Sequence, residues 1–242
     1  MMAHVLTATP LPTGTLIVAQ GTSAPAADFF RITVKGKSCH GSAPQNGVDA
    51  LTAAAHIIVA LQELSARELS VSNPAVLTVG TCQAGKAGNV IADTAELNGT
   101  LRAFDERVRA QVKKRISEIS RSIAKAFRTT AKTQYGGGCP TLVNDEKLAL
   151  FTLETLRKTL GKNYILSAAE IGGAITERNG GSEDFAYISQ RVPSVMLALA
   201  AGEEKDGYGY PLHHPKVRFD ERALPVGAAA YAAVAFGWNA NA

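Results

Sequence analysis

The feature that most constrains this chain is a switching of hydrophobic period between Asp28 and Tyr135. In DFFRITVKG, Phe30, Ile32 and Val34 fall on one side and Arg31 and Thr33 on the other, the period of two of a half-buried strand. Val48 to Leu69 is rich in Ala and Leu with apolar residues over a broad face, which predicts a helix. AVLTVGTC (Ala75 to Cys82) and VIADTAELNGTLRAF (Val90 to Phe104) read as two strands joined through a Gly-containing connection, a hairpin. From Asp105, a candidate N-cap, Val108, Val112, Ile116, Ile119, Ile123 and Phe127 recur at helical spacing with basic residues between them. TTAKTQY (Thr129 to Tyr135) predicts a last strand, ending at a turn formed by Gly136, Gly137 and Gly138. The order β-α-β-β-α-β is the split βαβ arrangement, in which two helices cover one face of a four-stranded antiparallel sheet, and such a unit can fold alone.

The flanking sequence has a different texture. A helix near Asp145 to Leu160, glycine pairs at Gly172 and Gly180, a strand SVMLALAAG (Ser194 to Gly202) and an Ala-rich final helix from Asp220 suggest part of an α/β layer. A helix is also expected in GGSEDFAYISQ, with Ser182 as N-cap and Glu183 and Asp184 in its first turn. Met1 to Gly21 matches neither neighbour by pattern and is expected to pair with this C-terminal part. The division is therefore 27–136 for the split βαβ unit, and 1–26 with 137–242 for the α/β part.

Composition narrows the partners. With 46% hydrophobic and 19% charged residues the chain is neither disordered nor fibrous. A net charge of +4 is too small and dispersed to call for nucleic acid. The basic residues Arg107, Arg109, Lys113, Lys114 and Arg115 lie on the second helix, but the strands lack the aromatic residues on which RNA bases stack, so they read as a solvated face. Cys39, Cys82 and Cys139 are odd in number and without CxxC spacing, which speaks against a disulfide framework and for a reducing, cytoplasmic compartment. The first twenty residues lack a basic leader and are interrupted by Pro10, Pro12 and Gly14, so no signal peptide is expected. The longest apolar stretch, Gly227 to Trp238, falls far short of the roughly 20 residues that span a bilayer.

Five histidines carry the candidate chemistry. His56 sits among Ala and Ile inside the first helix and reads as a packed or surface helical residue. His213 and His214, in YPLHHPKVRFDERALP, have the character of metal ligands or acid–base groups, and His40, in KGKSCHGSAP, follows the first strand in a loop of small residues able to approach a ligand. Glu203 and Glu204, beside Lys205 and Asp206, read as solvated surface.

Four stretches in fixed order, ITVKGKSCHGSAPQNGVDAL, AVLTVGTCQAGKAGNVIADTAELNGTLRAF, GGSEDFAYISQRVPSVMLALAAG and LHHPKVRFDERALPVGA, closely resemble the aminoacylase and hippurate-hydrolase group of metal-dependent amidohydrolases. That family also includes zinc carboxypeptidases, and the likeness runs from about residue 4 to the end. The resemblance implies a ferredoxin-like βαββαβ lid, which also carries the dimer contact, inserted in a zinc-peptidase-like α/β catalytic domain. It implies hydrolysis of N-acyl amino acids and a homodimer in which His40 reaches the partner subunit's site and polarises the scissile carbonyl. Asn89 and Arg102 match substrate-contacting positions, His4 and His213 match ligands of a two-ion zinc or manganese centre, and Glu183 and Asp184 shape the site. The family's catalytic half also carries a Cys-Gly-His-Asp motif and a Glu-Glu motif with the remaining ligands and the general base, and neither occurs here. Two histidines are fewer than the roughly three protein ligands of a catalytic zinc, so a truncated form inactive by itself is expected, the alternative being a non-catalytic dimerising or ligand-binding remnant.

Overall fold

The computed structural model describes residues 1–171 and 181–239. In chain order the strands are β1 (Met2–Leu6), β2 (Leu16–Val18), β3 (Gly21–Ala24), β4 (Ala26–Lys35), β5 (Cys39–His40), β6 (Ala75–Ala84), β7 (Val90–Ile91), β8 (Thr94–Ala103), β9 (Thr130–Cys139), β10 (Leu142–Asn144), β11 (Ile165–Ser167) and β12 (Met196–Ala200). The α-helices are α1 (Ala50–Glu63), α2 (Glu106–Ala126), α3 (Glu146–Leu160), α4 (Ala168–Ile171), α5 (Ala186–Ser189) and α6 (Ala223–Asn239). Two compact units result. One comprises 24–141 with a short stretch ending at Glu183, and the other the remainder.

The unit of 24–141 is built on a sheet of order β6-β8-β4-β9 whose neighbours are all antiparallel. Alternation along β4 buries Phe30, Ile32 and Val34, while Phe29, 51% exposed, and Arg31 face the other way. Leu97 and Leu101 of β8 join that buried face, and α1 and α2 close it with Ala53, Ala54, Ile57, Leu61, Val112 and Ile116. Asp49 and Asp105 start the two helices, each accepting two N–H bonds from the first turn, a device worth about 1 kcal/mol per helix. The buried Asp28 carboxylate of β4 binds α2 to the sheet, accepting from Arg109 at 2.7 and 3.0 Å and from Lys113 at 2.7 Å. Burial by itself would raise the Asp28 pKa, but these donors outweigh it and hold the carboxyl below the usual carboxylate range.

Three sequence expectations change here. The stretch 90–104 forms two strands instead of one, because the carbonyls of Ala92 and Asp93 accept from Ala50 N at 3.0 Å and Gly36 N at 2.8 Å, outside the ladder. The glycine triplet is not a turn: β9 runs through it to Cys139, with positive φ at Gly137 and Gly138 where the β4–β9 register slips. A Cβ on Gly138 would stand 1.9 Å from the Ala27 carbonyl oxygen, so only glycine lets the strands approach there. The first helix ends at Glu63 and passes into a π-helical turn, Leu64–Glu68.

In the second unit the sheet order is β1-β12-β2-β11. The expected pairing of the N-terminal segment is present: β1 runs parallel to β12, and β2 antiparallel to it on the other side. Leu16, Val18, Leu197 and Leu199 pack with Leu148, Leu153 and Leu156 of α3 and Ala230 and Val234 of α6. Asn144, fully buried, donates to the Ala19 and Met196 carbonyls and accepts from Met196 N, so its amide does the work of a strand edge. Ser182 is not an N-cap, since the chain is irregular until α5, where Phe185 stands at the cap without a side-chain bond. The last helix starts at Ala223, three residues beyond Asp220, whose carboxylate accepts from Arg222 N. Gly172 and Gly180 lie outside the described residues.

Candidate functional site

The loop after β4 is closed at its base by reciprocal backbone bonds between Lys37 and Val48, 2.8 and 2.9 Å long. Gly47 packs so tightly inside it that a Cβ would meet Cys39 Sγ at 2.5 Å. On this loop β5 pairs antiparallel with β7, setting His40 opposite Val90, and Gly41 N donates to the Asn89 carbonyl at 2.7 Å. His40 and Asn89 therefore sit side by side on one rigid arm. The His40 ring is exposed, with Nδ1 turned to Ser42, whose N–H donates to it at 3.2 Å. A nitrogen accepting there leaves the hydrogen of the neutral ring on Nε2, as a donor facing away from the loop.

Arg102 is placed elsewhere. It stands near the far end of β8, roughly 26 Å along the strand from Thr94 at about 3.3 Å per residue, with its guanidinium 5.8 Å over the Phe29 ring. A single subunit does not bring it to His40 and Asn89.

In the other unit, His4 lies within β1 and its Nδ1–H donates to the Val5 carbonyl at 2.7 Å. That leaves Nε2 as a bare lone pair, the tautomer of a metal-ligating imidazole held by a backbone carbonyl. His213 is exposed and has φ of 69°, a strained left-handed conformation for a side chain of this size. Its loop folds over the carboxyl end of β1: Thr7 Oγ1 donates to the Tyr210 carbonyl at 3.1 Å and Ala8 N to that of Tyr208 at 3.0 Å. His213 therefore lies on a loop anchored at the carboxyl end of β1, whereas His4 lies in the middle of that strand. His214 is engaged otherwise, stacked on Tyr210 with ring centroids 4.4 Å apart and accepting from Lys216 N.

Glu203 differs from expectation. It is only 8% exposed, because the loop carrying it pairs with Thr9, and its charge is matched by Lys205 Nζ at 2.6 Å. Glu183 and Asp184 lie in the irregular chain before α5. His56 is an exposed helical residue whose ring lies tilted against Phe127, centroids 4.6 Å apart. Among the described residues no group of three or more His, Cys, Asp and Glu is placed to hold a metal ion, so His4 and His213 do not by themselves make a metal centre. No helix among them is long and apolar enough to cross a membrane. Ser42 is the residue that the sequence reading missed, and its only signal was a hydroxyl two positions after a loop histidine.

Residues 26–128 match the M20 peptidase dimerisation domain. The N-acetyl-L-cysteine deacetylase of Bacillus subtilis is 32% identical over 211 residues, covering 87% of this chain and 47% of that protein. The IAA-amino acid hydrolase ILR1-like 2 of Arabidopsis thaliana is 31% identical over 229 residues, 93% of this chain and 50% of that one. Among solved structures, a candidate aminohydrolase from methicillin-resistant Staphylococcus aureus has a TM-score of 0.85 at 29% identity, covering 96% of this chain and 57% of that chain. The Bacillus subtilis YXEP protein, described as a dinuclear metal-binding peptidase of the M20 family, has a TM-score of 0.72 at 28% identity over 96% and 55% of the two chains. Residues 26–128 are thus an M20 peptidase dimerisation domain, and the chain is similar to M20-family amidohydrolases and peptidases. It spans about half the length of these relatives.

Proposed function

We propose that this chain is the lid-bearing part of an amidohydrolase that cleaves the amide bond of N-acyl amino acids and works as a homodimer in a reducing cytoplasm. The observation that carries the reading is the exposed His40 ring beside Asn89 on one arm, its Nδ1 engaged by Ser42 so that Nε2 is left as the donor. A donor so placed suits a carbonyl oxygen that gains negative charge as its amide is attacked, with Asn89 binding the acyl amino acid alongside. The relatives support it, since one is an N-acetyl-L-cysteine deacetylase and another an IAA-amino acid hydrolase. The matching dimerisation domain supports use of His40 on the partner subunit's substrate, and three free thiols suit a reducing compartment.

His4 and His213 are the residues this reading assigns to zinc or manganese. They do not fit a two-ion centre alone, because two neutral imidazoles cannot offset the repulsion of adjacent divalent cations. An active enzyme on this reading needs further ligands and a general base besides these two histidines. Titration of 15N-labelled protein with N-acetyl-L-cysteine and hippurate tests the reading. Saturable shifts at His40 and Asn89, absent with free amino acids, are expected, and no shift at either residue with any N-acyl amino acid would overturn it.

That no group of three metal-ligating side chains is found among the described residues favours a second reading, a ligand-binding protein without catalysis. The two part on turnover by a reconstituted enzyme in which a relative's polypeptide supplies the catalytic residues this chain lacks. Hydrolysis that needs His40 supports the enzyme, and binding without hydrolysis supports the second reading.

A further inference from the structure

Ser42 makes two contacts to one atom. Its backbone N–H reaches His40 Nδ1 at 3.2 Å, and its Oγ lies 2.7 Å from the same nitrogen. A backbone N–H only donates, so Nδ1 is an acceptor and carries no ring hydrogen, and the hydroxyl must then donate to it as well. The hydroxyl bond is the shorter of the two. We propose that Ser42 is a positioning residue that sets the tautomer of His40, keeping the imidazole in its Nε2–H form so that the outward nitrogen is a donor.

The distinction decides what the ring can do. An Nδ1–H ring would present a lone pair to a developing oxyanion and repel it, and loss of a single such donor costs about 10²–10³ in rate. His4 shows the same chemistry in reverse: its Nδ1 faces a carbonyl, which can only accept, so the hydrogen sits on Nδ1. The groups beside Nδ1, the N–H and hydroxyl of Ser42 in one case and the Val5 carbonyl in the other, thus assign opposite tautomers to the two rings. The Ser42 contact persists because the loop is closed by the Lys37–Val48 pair and pinned by Gly41 to Asn89. The use made of the donor rests on the amidohydrolase reading, whereas the tautomer is a property of the loop.

Ring 15N spectra of the full chain at about pH 8, where histidine is mostly neutral, test it directly. Exposed His56 serves as the internal reference. His40 is expected to show a pyridine-like Nδ1 and a pyrrole-like Nε2, with a higher Nε2–H to Nδ1–H ratio than His56. Ser42→Ala, which keeps the backbone N–H but loses the hydroxyl, is expected to lower that ratio about threefold or more, the effect of one modest hydrogen bond. Ser42→Thr is expected to restore it. An unchanged ratio in Ser42→Ala, or a predominant Nδ1–H ring in the wild type, would overturn the proposal. These spectra require neither ligand nor turnover, so they fail or succeed independently of the amidohydrolase reading.

Discussion

Gly41 donates its backbone N–H to the carbonyl of Asn89 at 2.7 Å, and this bond holds His40 and Asn89 together although α1 and β6 lie between them in the chain. A Cβ at position 41 would stand 3.1 Å from that carbonyl oxygen. Gly41→Ala is therefore expected to displace the arm by a few tenths of an ångström and weaken N-acyl amino acid binding several-fold. Because the site is exposed, stability should change by less than about 1 kcal/mol. Backbone amide spectra with N-acetyl-L-cysteine, beside urea denaturation, separate the two effects.

Asp28→Asn removes the carboxylate that takes hydrogen bonds from both Arg109 and Lys113. Breaking a fully buried pair costs about 3–5 kcal/mol, and with the Lys113 side chain still 30% exposed a loss of about 2–3 kcal/mol is expected from urea midpoints. Arg31→Ala, on the open face of the same sheet, should stay within about 0.5 kcal/mol.

The same carboxylate sets an acid limb. Its folded pKa lies below its unfolded one, near 3.9, so its contribution is fully present above that value and is lost as pH falls through the lowered one. Glu106 acts in the same direction: burial would raise it, but bonds from Thr141 and Arg109 hold it down. Tyr135 has the opposite sign, since burial pushes it up to about 12, and stability should fall as pH rises above the ordinary phenol value of about 10. Urea midpoints across pH should show both limbs, with the acid limb flatter in Asp28→Asn.

Gly138→Ala is expected to destabilise the 24–141 unit by more than about 1 kcal/mol. Its φ of +101° disfavours a side chain, and the added carbon would collide with the Ala27 carbonyl. Gly136→Ala, with nothing within 4 Å of the added carbon, should be nearly neutral. Thermal melts of the pair provide the comparison.

The purified chain, given zinc or manganese, is expected to hydrolyse neither hippurate nor N-acetyl-L-cysteine measurably, because orientation by His40 and Asn89 without an activated nucleophile leaves the barrier nearly intact. Metal-dependent turnover abolished by His213→Ala would show that the ligands are completed from within these residues.

The amino-acid order by itself determined the elements whose buried face recurs over ten residues or more. Phe30, Ile32 and Val34 announced β4, Val112 and Ile116 announced α2, and the β-α-β-β-α-β succession followed, because period and burial are local properties of a strand or helix. It also named His40 and Asn89, through motifs shared with relatives. It could not show that they meet, since β5 and β7 are two residues each and carry no period, and their pairing depends on backbone bonds between distant segments. Only the tertiary structure set Arg102 apart from them, buried Glu203 under its own loop, carried β9 through three glycines and turned Nδ1 of His40 to Ser42. Each of these depends on the position of one donor or one carbonyl to within about an ångström, and that position is decided by the packing of the whole unit.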